Sequence, residues 1–334
     1  MPVMIIAEAG VNHNGCLDTA KQLVDVAAQC GADAVKFQTF KVYESVGAYA
    51  EMAQYQKENI SAGHSQYEML KKLELPFTAF YELKEYCRQK NILFISTPDG
   101  KESLDFLMQL EVPFIKVGST EVTNPWLLKQ IGMTGKPVIL STGMSTLGEV
   151  EKALENIYSA GCRDVSLMHC TTDYPTNPED VNLKAMVTLR DAFKLPVGLS
   201  DHTLGCEAAV AAVALGADFI EKHITLDKSM EGPDHKASMS PTEFAAYVRS
   251  IRDTEKLLGN GVKRPTAREI LMMKDVRRSV VAAKELKAGT RISENLICFK
   301  RPGYGIKPED AAVLIGRILK RDLKADEPIC WEDI

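Results

Sequence analysis

Two histidines at matching places in the chain carry the first chemical signal. The stretch from Gly198 to Thr225 contains two apolar runs, Val197–Leu199 and Phe219–Ile220. Each ends abruptly in polar residues that include a histidine: Ser200, Asp201, His202 and Thr203, then Glu221, Lys222 and His223. An Ala-rich helical pattern, Glu207 to Leu215, joins them. The pattern predicts a strand, a helix and a strand. Parallel strands joined by a crossover helix present both C-terminal ends on one face, so His202 and His223 should share it. Two imidazoles there can share a divalent cation and leave positions open for water or substrate. A lone histidine at a strand end is ordinarily hydrogen-bonded structure. Two of them, each beside a carboxylate (Asp201, Glu221), put a metal site and hydrogen-bonded structure on equal footing, to be settled by the rest of the chain.

The elements that must position this pair repeat along the chain. Val3–Ala7 reads as a strand buried on both faces, followed by a polar loop, Glu8 to Gly15. A helix is expected from Cys16 to Gln29 with Gly31 as its stop, then a strand, Ala34–Thr39, with Lys36 and Gln38 on one face. A polar interruption runs from Tyr43 to Leu75, with helix at Gln66–Leu73, and is read as an insertion partly covering the active end. Within it, Tyr55 is one of the scattered aromatics and His64 should face solvent. Strands are then expected at Ile92–Ile95, Phe114–Val117, Val138–Leu140 and Val165–Cys170, with helices between. With the opening pair this makes eight βα units, the last helix spanning Pro241–Leu258. Eight such units predict an α/β fold, a TIM (β/α)8 barrel over residues 1–260. Glu8–Gly15 lacks the Gly-rich turn of an open dinucleotide-binding sheet. Residues 261–278 read as a linker with a helix at Ala267–Lys274. Residues 279–334 read as a small, mostly β domain, with β-like segments at Ser279–Ala283 and Ile297–Lys300.

Composition narrows the class. The chain has 334 residues, 45% hydrophobic and 25% charged, which is ordinary for a globular protein. A net charge of −5 without a long basic run argues against a nucleic-acid partner. The eight cysteines form no CxxC pair, so neither zinc ribbon nor disulfide scaffold is signalled, and free thiols fit a reducing, cytoplasmic setting. Cys30, Cys162 and Cys206 read as small core residues. No leader pattern and no membrane-spanning apolar run is expected.

In a barrel of this kind the polar residues at strand C-termini line the active site. They are Glu8, Asn12, Lys36, Gln38, Thr97, Lys116, Ser119, Glu121, Ser141, Thr142, Tyr174, Ser200, Asp201, His202, Glu221 and His223. Two lysines with several hydroxyls make an anion site for phosphate or carboxylate. Glu8, Glu121 and Glu221 are candidates for proton transfer. Against this, Glu8 or Glu121 could merely neutralise a lysine, and Thr97 and Ser141 could merely satisfy strand ends. Lys36 could form a Schiff base. His169 could be core or site-lining, His13 shapes its turn, and His13 and His235 stand in polar loops. Lys300-Arg301-Pro302-Gly303 reads as a solvated turn from spacing alone.

Taken together, IIAEAGVNHNG, AVKFQT, STP, KVGSTE, ILSTGM, HCTTDYPT, GLSDHT, EKHITLDKSMEGPDHKAS and KRPGYG resemble the sialic acid synthase family over nearly the whole chain. That family includes synthases of N-acetylneuraminate, legionaminate and pseudaminate. The resemblance implies a barrel followed by an antifreeze-like (SAF) domain. It implies condensation of phosphoenolpyruvate with an N-acylated 2-amino sugar aldehyde, releasing phosphate, with Mn²⁺ or Mg²⁺. It implies that His202 and His223 bind the metal. Lys36, Thr97, Lys116, Ser119, Ser141 and Ser200 would hold phosphoenolpyruvate. Glu8 would lie near the metal and aldehyde, Glu121 would transfer protons, and Gln38, Tyr174 and Asp234 would contact the sugar. It also implies a domain-swapped homodimer in which Arg301 reaches the partner's sugar. The chain departs from the family's pattern at Asp99-Gly100, Thr120 and Thr172, and GPDHKAS favours the sialic/legionaminic branch. The rival readings are a Schiff-base aldolase and a non-enzymatic carbohydrate- or ice-binding protein resting on the tail.

Overall fold

A computed structural model describes residues 2–334 apart from 48, 54, 55 and 57–64. Tyr55 and His64 lie outside the described residues. The chain divides into two compact units, Met1–Gly259 and Asn260–Ile334.

The first unit is a ring of eight parallel strands: β1 (Met4–Gly10), β2 (Ala34–Thr39), β3 (Leu93–Pro98), β4 (Ile115–Val117), β5 (Val138–Ser141), β6 (Val165–Cys170), β7 (Val197–Asp201) and β8 (Phe219–His223). They pair in the order β3-β2-β1-β8-β7-β6-β5-β4. The ladder is open only between β3 and β4, which nonetheless lie side by side. The first and last strands are joined by five parallel partners, Met4–Phe219 through Glu8–His223. That pairing is what bends the sheet into a barrel.

Pleating gives every strand two faces, and the residues on them differ. Outward side chains such as Ile5, Ala7, Val35, Phe37, Val117, Leu140, Leu167, Leu199 and Ile220 pack into the main core with the surrounding helices. Ile6, Ala34 and Ile95 form a separate apolar cluster at the N-terminal end of the barrel interior. Two residues further along the same strands and the same face come Glu8, Lys36 and Thr97. The interior is therefore plugged with hydrocarbon at one end and polar at the other.

The helices follow their caps. Helix Leu17–Cys30 stops at Gly31, whose φ of 84° suits a residue without a Cβ. Helices Gln66–Leu73, Leu147–Ser159 and Pro241–Leu258 each open on a capping box, from Ser65/Glu68, Thr146/Glu149 and Ser240/Glu243. In the insertion, Val42, Met52, Met69 and Leu73 join Val11 and Phe40 in a satellite core beside the barrel mouth.

Several strands run farther than their apolar runs. Glu8, Ser96, Thr97, Ser200, Asp201, Glu221, Lys222 and His223 are strand residues rather than loop residues. Helix Ala267–Val276 fills most of the stretch expected as a linker and belongs with the second unit. That unit pairs β9 (Ser279–Ala282) with β10 (Ile297–Lys300) in antiparallel fashion. Val280, Ala282, Leu286, Ile292, Ile306, Leu314, Leu319, Leu323 and Ile329 form its own core.

Candidate active site

A cavity of about 240 Å³ opens at the polar end of the barrel. Each strand contributes inward side chains: Glu8 from β1, Lys36 and Gln38 from β2, Thr97 from β3, Lys116 from β4 and Ser141 from β5. Cys170 comes from β6, Ser200 from β7 and His202 from just past its end, and Glu221 and His223 from β8. Gly118, Ser119 and Thr120 follow β4, Tyr174 follows β6, and Pro233 and Asp234 come from the loop after β8.

Glu221 organises the floor. Its Oε1 is 3.5 Å from Lys36 Nζ and its Oε2 is 3.6 Å from Lys116 Nζ, and all three side chains are buried. Burial opposes ionisation of Glu221, but Lys116 and Lys36 outweigh it and hold the carboxyl at about 2. Lys36 also meets Glu8 Oε1 at 2.9 Å and Thr97 Oγ1 at 3.3 Å. Burial opposes its charge too, yet Glu221 and Glu8 keep its pKa above the ordinary lysine value. A protonated lysine is a poor nucleophile, so this environment disfavours imine formation at Lys36. Lys116 donates to Ser141 Oγ at 2.7 Å, and burial lowers its pKa. Glu8 also accepts from Gln38 at 3.0 Å, and burial raises its carboxyl above the usual range despite Lys36.

The two histidines stand together above this floor. Their ring centroids are 5.5 Å apart, and Tyr174 lies against both, at 4.1 Å from His202 and 5.6 Å from His223. Burial pushes His202 down to about 4 and His223 down to about 3, so both are neutral near pH 7. His202 Nδ1 is 2.7 Å from the Thr171 carbonyl and so carries the proton, leaving Nε2 a lone pair. His223 Nδ1 is buried with no hydrogen-bond partner, 3.9 Å from Asp234 Oδ2. Glu8 Oε2 and Glu221 Oε2 are likewise buried without a hydrogen bond, although Glu221 Oε2 has Lys116 Nζ at 3.6 Å. Two neutral imidazoles 5.5 Å apart, centroid to centroid, are a donor pair that suits a divalent cation. Among the described residues no group of three or more His, Cys, Asp or Glu is placed to hold a metal ion.

Some expected residues are placed elsewhere, mostly by strand parity. Asp201 and Lys222 face outward, where they pair at 3.1 Å, and Tyr247 of helix Pro241–Leu258 donates to Asp201 at 2.8 Å. Asn12 donates to Ile224 O and Ser238 Oγ, both at 2.8 Å, and Thr142 to Met168 O at 3.0 Å. His169 bonds Val181 O at 2.7 Å and is structural. His13 does shape its turn, accepting from Gly15 N at 3.0 Å, and both it and His235 stand in loops with their side chains buried. The lining stops at Thr120. Glu121 is half-buried in the same turn, with Asn124 Nδ2 donating to its Oε2 at 2.7 Å. Arg301 is exposed at the end of β10 in the second unit. The sequence reading missed Gln56, Leu70, Met144 and Cys170 as lining residues. Inward alternation from Met168 would have found Cys170; no local pattern marks the other three.

The NeuB family model matches residues 23–263, and a SAF domain model matches residues 277–334. The chain belongs to the NeuB family. Among its relatives, the N,N'-diacetyllegionaminic acid synthase of Campylobacter jejuni is 46% identical over 98% of this chain and 98% of its own length. The N,N'-diacetyllegionaminic acid synthase of Legionella pneumophila is 46% identical over 100% of this chain and 95% of its own. Among solved structures, the N-acetylneuraminic acid (sialic acid) synthetase of Leptospira borgpetersenii is 35% identical, with a TM-score of 0.71 over 82% of this chain and 90% of that one. The NeuB-family barrel thus carries its polar cavity where the strands end, followed by a SAF domain.

Proposed function

We propose that this chain is a nonulosonate synthase that joins phosphoenolpyruvate to an N-acylated 2-amino sugar aldehyde and releases phosphate, making N-acetylneuraminate or legionaminate. The observation that carries the reading is Glu221 held between Lys36 and Lys116, directly beneath a pair of neutral histidines. An anion site and a cation site then share one cavity. The two synthases at 46% identity favour a 2,4-diacetamido-2,4,6-trideoxymannose as the sugar and legionaminate as the product.

In this reading Lys36 and Lys116, with Thr97, Ser119, Ser141 and Ser200, hold the phosphate and carboxylate of phosphoenolpyruvate. His202 and His223 would hold Mn²⁺ or Mg²⁺, which supplies Lewis acidity to a carbonyl oxygen. Gln38, Tyr174 and Asp234 contact the sugar, and Glu8 lies beside its aldehyde. The enol carbon forms the new bond to the aldehyde carbon, and positive charge develops at C2 of the former phosphoenolpyruvate. The ionised Glu221 lies where such a charge is stabilised without reorganisation. Water adds at C2, and phosphate departs by C–O cleavage onto the lysines. Glu121 takes the proton-transfer role by turning its free Oε1 inward once ligand is bound; catalytic hydrogen bonds commonly tighten only in the complex. The active form is proposed to be a homodimer in which Arg301 reaches the partner's sugar.

The test is phosphate release from phosphoenolpyruvate with Mn²⁺ and either N-acetylmannosamine or the 2,4-diacetamido-2,4,6-trideoxy sugar. Turnover with at least one of them, abolished by EDTA and restored by Mn²⁺, is expected. No turnover with either sugar defeats the reading. EDTA-insensitive activity with borohydride trapping would replace it with imine chemistry at Lys116, the floor lysine whose pKa is lowered.

A further inference from the structure

Asp99 is a carboxylate that the fold does not use. An aspartate just ahead of a helix is ordinarily a cap for its first N–H groups. Here that task is already done. Helix Lys101–Gln109 follows, and Glu44, from the short helix Val42–Ser45, takes its leading donors. Glu102 N donates to Glu44 Oε1 at 2.8 Å, and Ser103 N and Oγ donate to Glu44 Oε2 at 3.3 and 3.1 Å. Gly100 makes room for this. Its φ is +147°, and a Cβ there would come within 2.7 Å of three Glu44 side-chain atoms. The backbone of Asp99 is fixed, with its N–H on Thr39 O at 3.1 Å, continuing the ladder between β2 and β3 by one residue. Among the described residues, its side chain has no hydrogen bond and no ion pair.

The position of that side chain is chemically distinctive. Asp99 lines the same cavity as Thr97 and Gln38. It lies on the face of Thr97 and about 7 Å farther toward the mouth, two residues on. The floor below it is built for anions by Lys36 and Lys116. A carboxylate at the mouth is unsuited to a phosphate and well suited to a hydroxyl or amide N–H, from which its ionised form accepts. Burial and the nearby Glu121 raise its carboxyl to about 7, and Lys36 opposes the shift.

We infer that Asp99 is a specificity residue that accepts a hydrogen bond from a hydroxyl or amide N–H of the sugar substrate, on the part remote from the carbon attacked by phosphoenolpyruvate. The inference rests on the proposed synthase reading. It adds to that reading a group that ranks sugars by whether they carry a donor there. A site built to pair with a donor discriminates strongly against a ligand that lacks it, because the acceptor is then left desolvated and unpaired.

Steady-state kinetics of the full chain, wild type against Asp99→Asn and Asp99→Ala, tests it with Mn²⁺, phosphoenolpyruvate and each of the two sugars named above. Because Glu44 rather than Asp99 caps the helix, both variants should melt within a few degrees of wild type. On any sugar the wild type turns over, kcat/KM for the sugar should fall about 10- to 100-fold in Asp99→Ala and by less in Asp99→Asn, whose amide oxygen still accepts, with KM for phosphoenolpyruvate moving less than about twofold. A loss confined to the diacetamido sugar assigns the donor as its second amide N–H. A loss confined to N-acetylmannosamine assigns a hydroxyl, and an equal loss on both assigns a donor they share. Unchanged sugar kinetics in both variants, with wild type active, overturns this inference and leaves the synthase reading standing. Parallel loss for sugar and phosphoenolpyruvate also overturns it. A wild type inactive on both sugars overturns the two together.

Discussion

Glu8 Oε2, Glu221 Oε2 and His223 Nδ1 are each buried in the cavity without a hydrogen bond. A buried polar atom left unpaired costs about 1–3 kcal/mol. A ligand in the cavity would satisfy these three, whereas Asn12 Oδ1, His13 Nε2 and Gln130 Oε1 are left unpaired outside it. His13 provides a contrast outside the cavity. Its Nδ1 accepts from Gly15 N, and burial lowers its pKa from 6.5 to about 4. The unfolded chain therefore binds this proton first as the solution is acidified. The stability that neutral His13 contributes is present above the unfolded pKa and is lost as pH falls toward the folded one. Urea unfolding of wild type and His13→Gln at about pH 7.5 and about pH 4.5 should show the wild-type advantage shrinking at the lower pH. His202 and His223 respond in the same direction in both proteins and cancel from the difference. A pH-independent difference would mean that His13 is not held neutral by its surroundings.

At the scale of elements, β7 and β8 show how alternation separates chemistry from support. Ser200, His202, Glu221 and His223 face the cavity, while Asp201 and Lys222, interleaved with them, face helix Pro241–Leu258. Asp201 joins Lys222, Tyr247 and Thr203 in one network, with Thr203 N donating to it at 2.9 Å. Removing one partner of a buried pair strands the other as an uncompensated charge. Asp201→Ala should lower the unfolding free energy by about 3–5 kcal/mol. Denaturant titration checks this, and a loss under about 1 kcal/mol would show that water reaches Lys222. The same alternation explains why strand ends were read too short. Hydropathy drops at Glu8, Ser96, Ser200 and Glu221, but the backbone stays in the ladder because neighbouring strands still pair with it. Helices were easier to read, since Ser240, Glu243 and Pro241 fix the start of helix Pro241–Leu258 locally.

For the whole molecule, the proposed dimer makes a prediction that a monomeric enzyme would not. Arg301→Ala and His202→Ala chains should each be inactive alone. Mixed and re-equilibrated at equal amounts, they should regain activity in about a quarter of sites, because one barrel in each mixed dimer has its histidines and the other chain's arginine. No recovery on mixing, despite demonstrated subunit exchange, would confine Arg301 to its own chain. Much of this protein is determined by its sequence alone: eight βα units, an apolar-then-polar order along each strand, the two histidines and two lysines, and motifs that place it in the NeuB family. These are local or periodic signals, and short-range physics suffices to read them. Only the tertiary structure decided that Glu221 bridges Lys36 and Lys116, that Asp201 and Asn12 turn away from the cavity, and that Glu44 caps a helix more than fifty residues on while Asp99 lines the cavity. Those choices depend on strand parity and barrel closure, which bring together side chains that no stretch of sequence holds side by side.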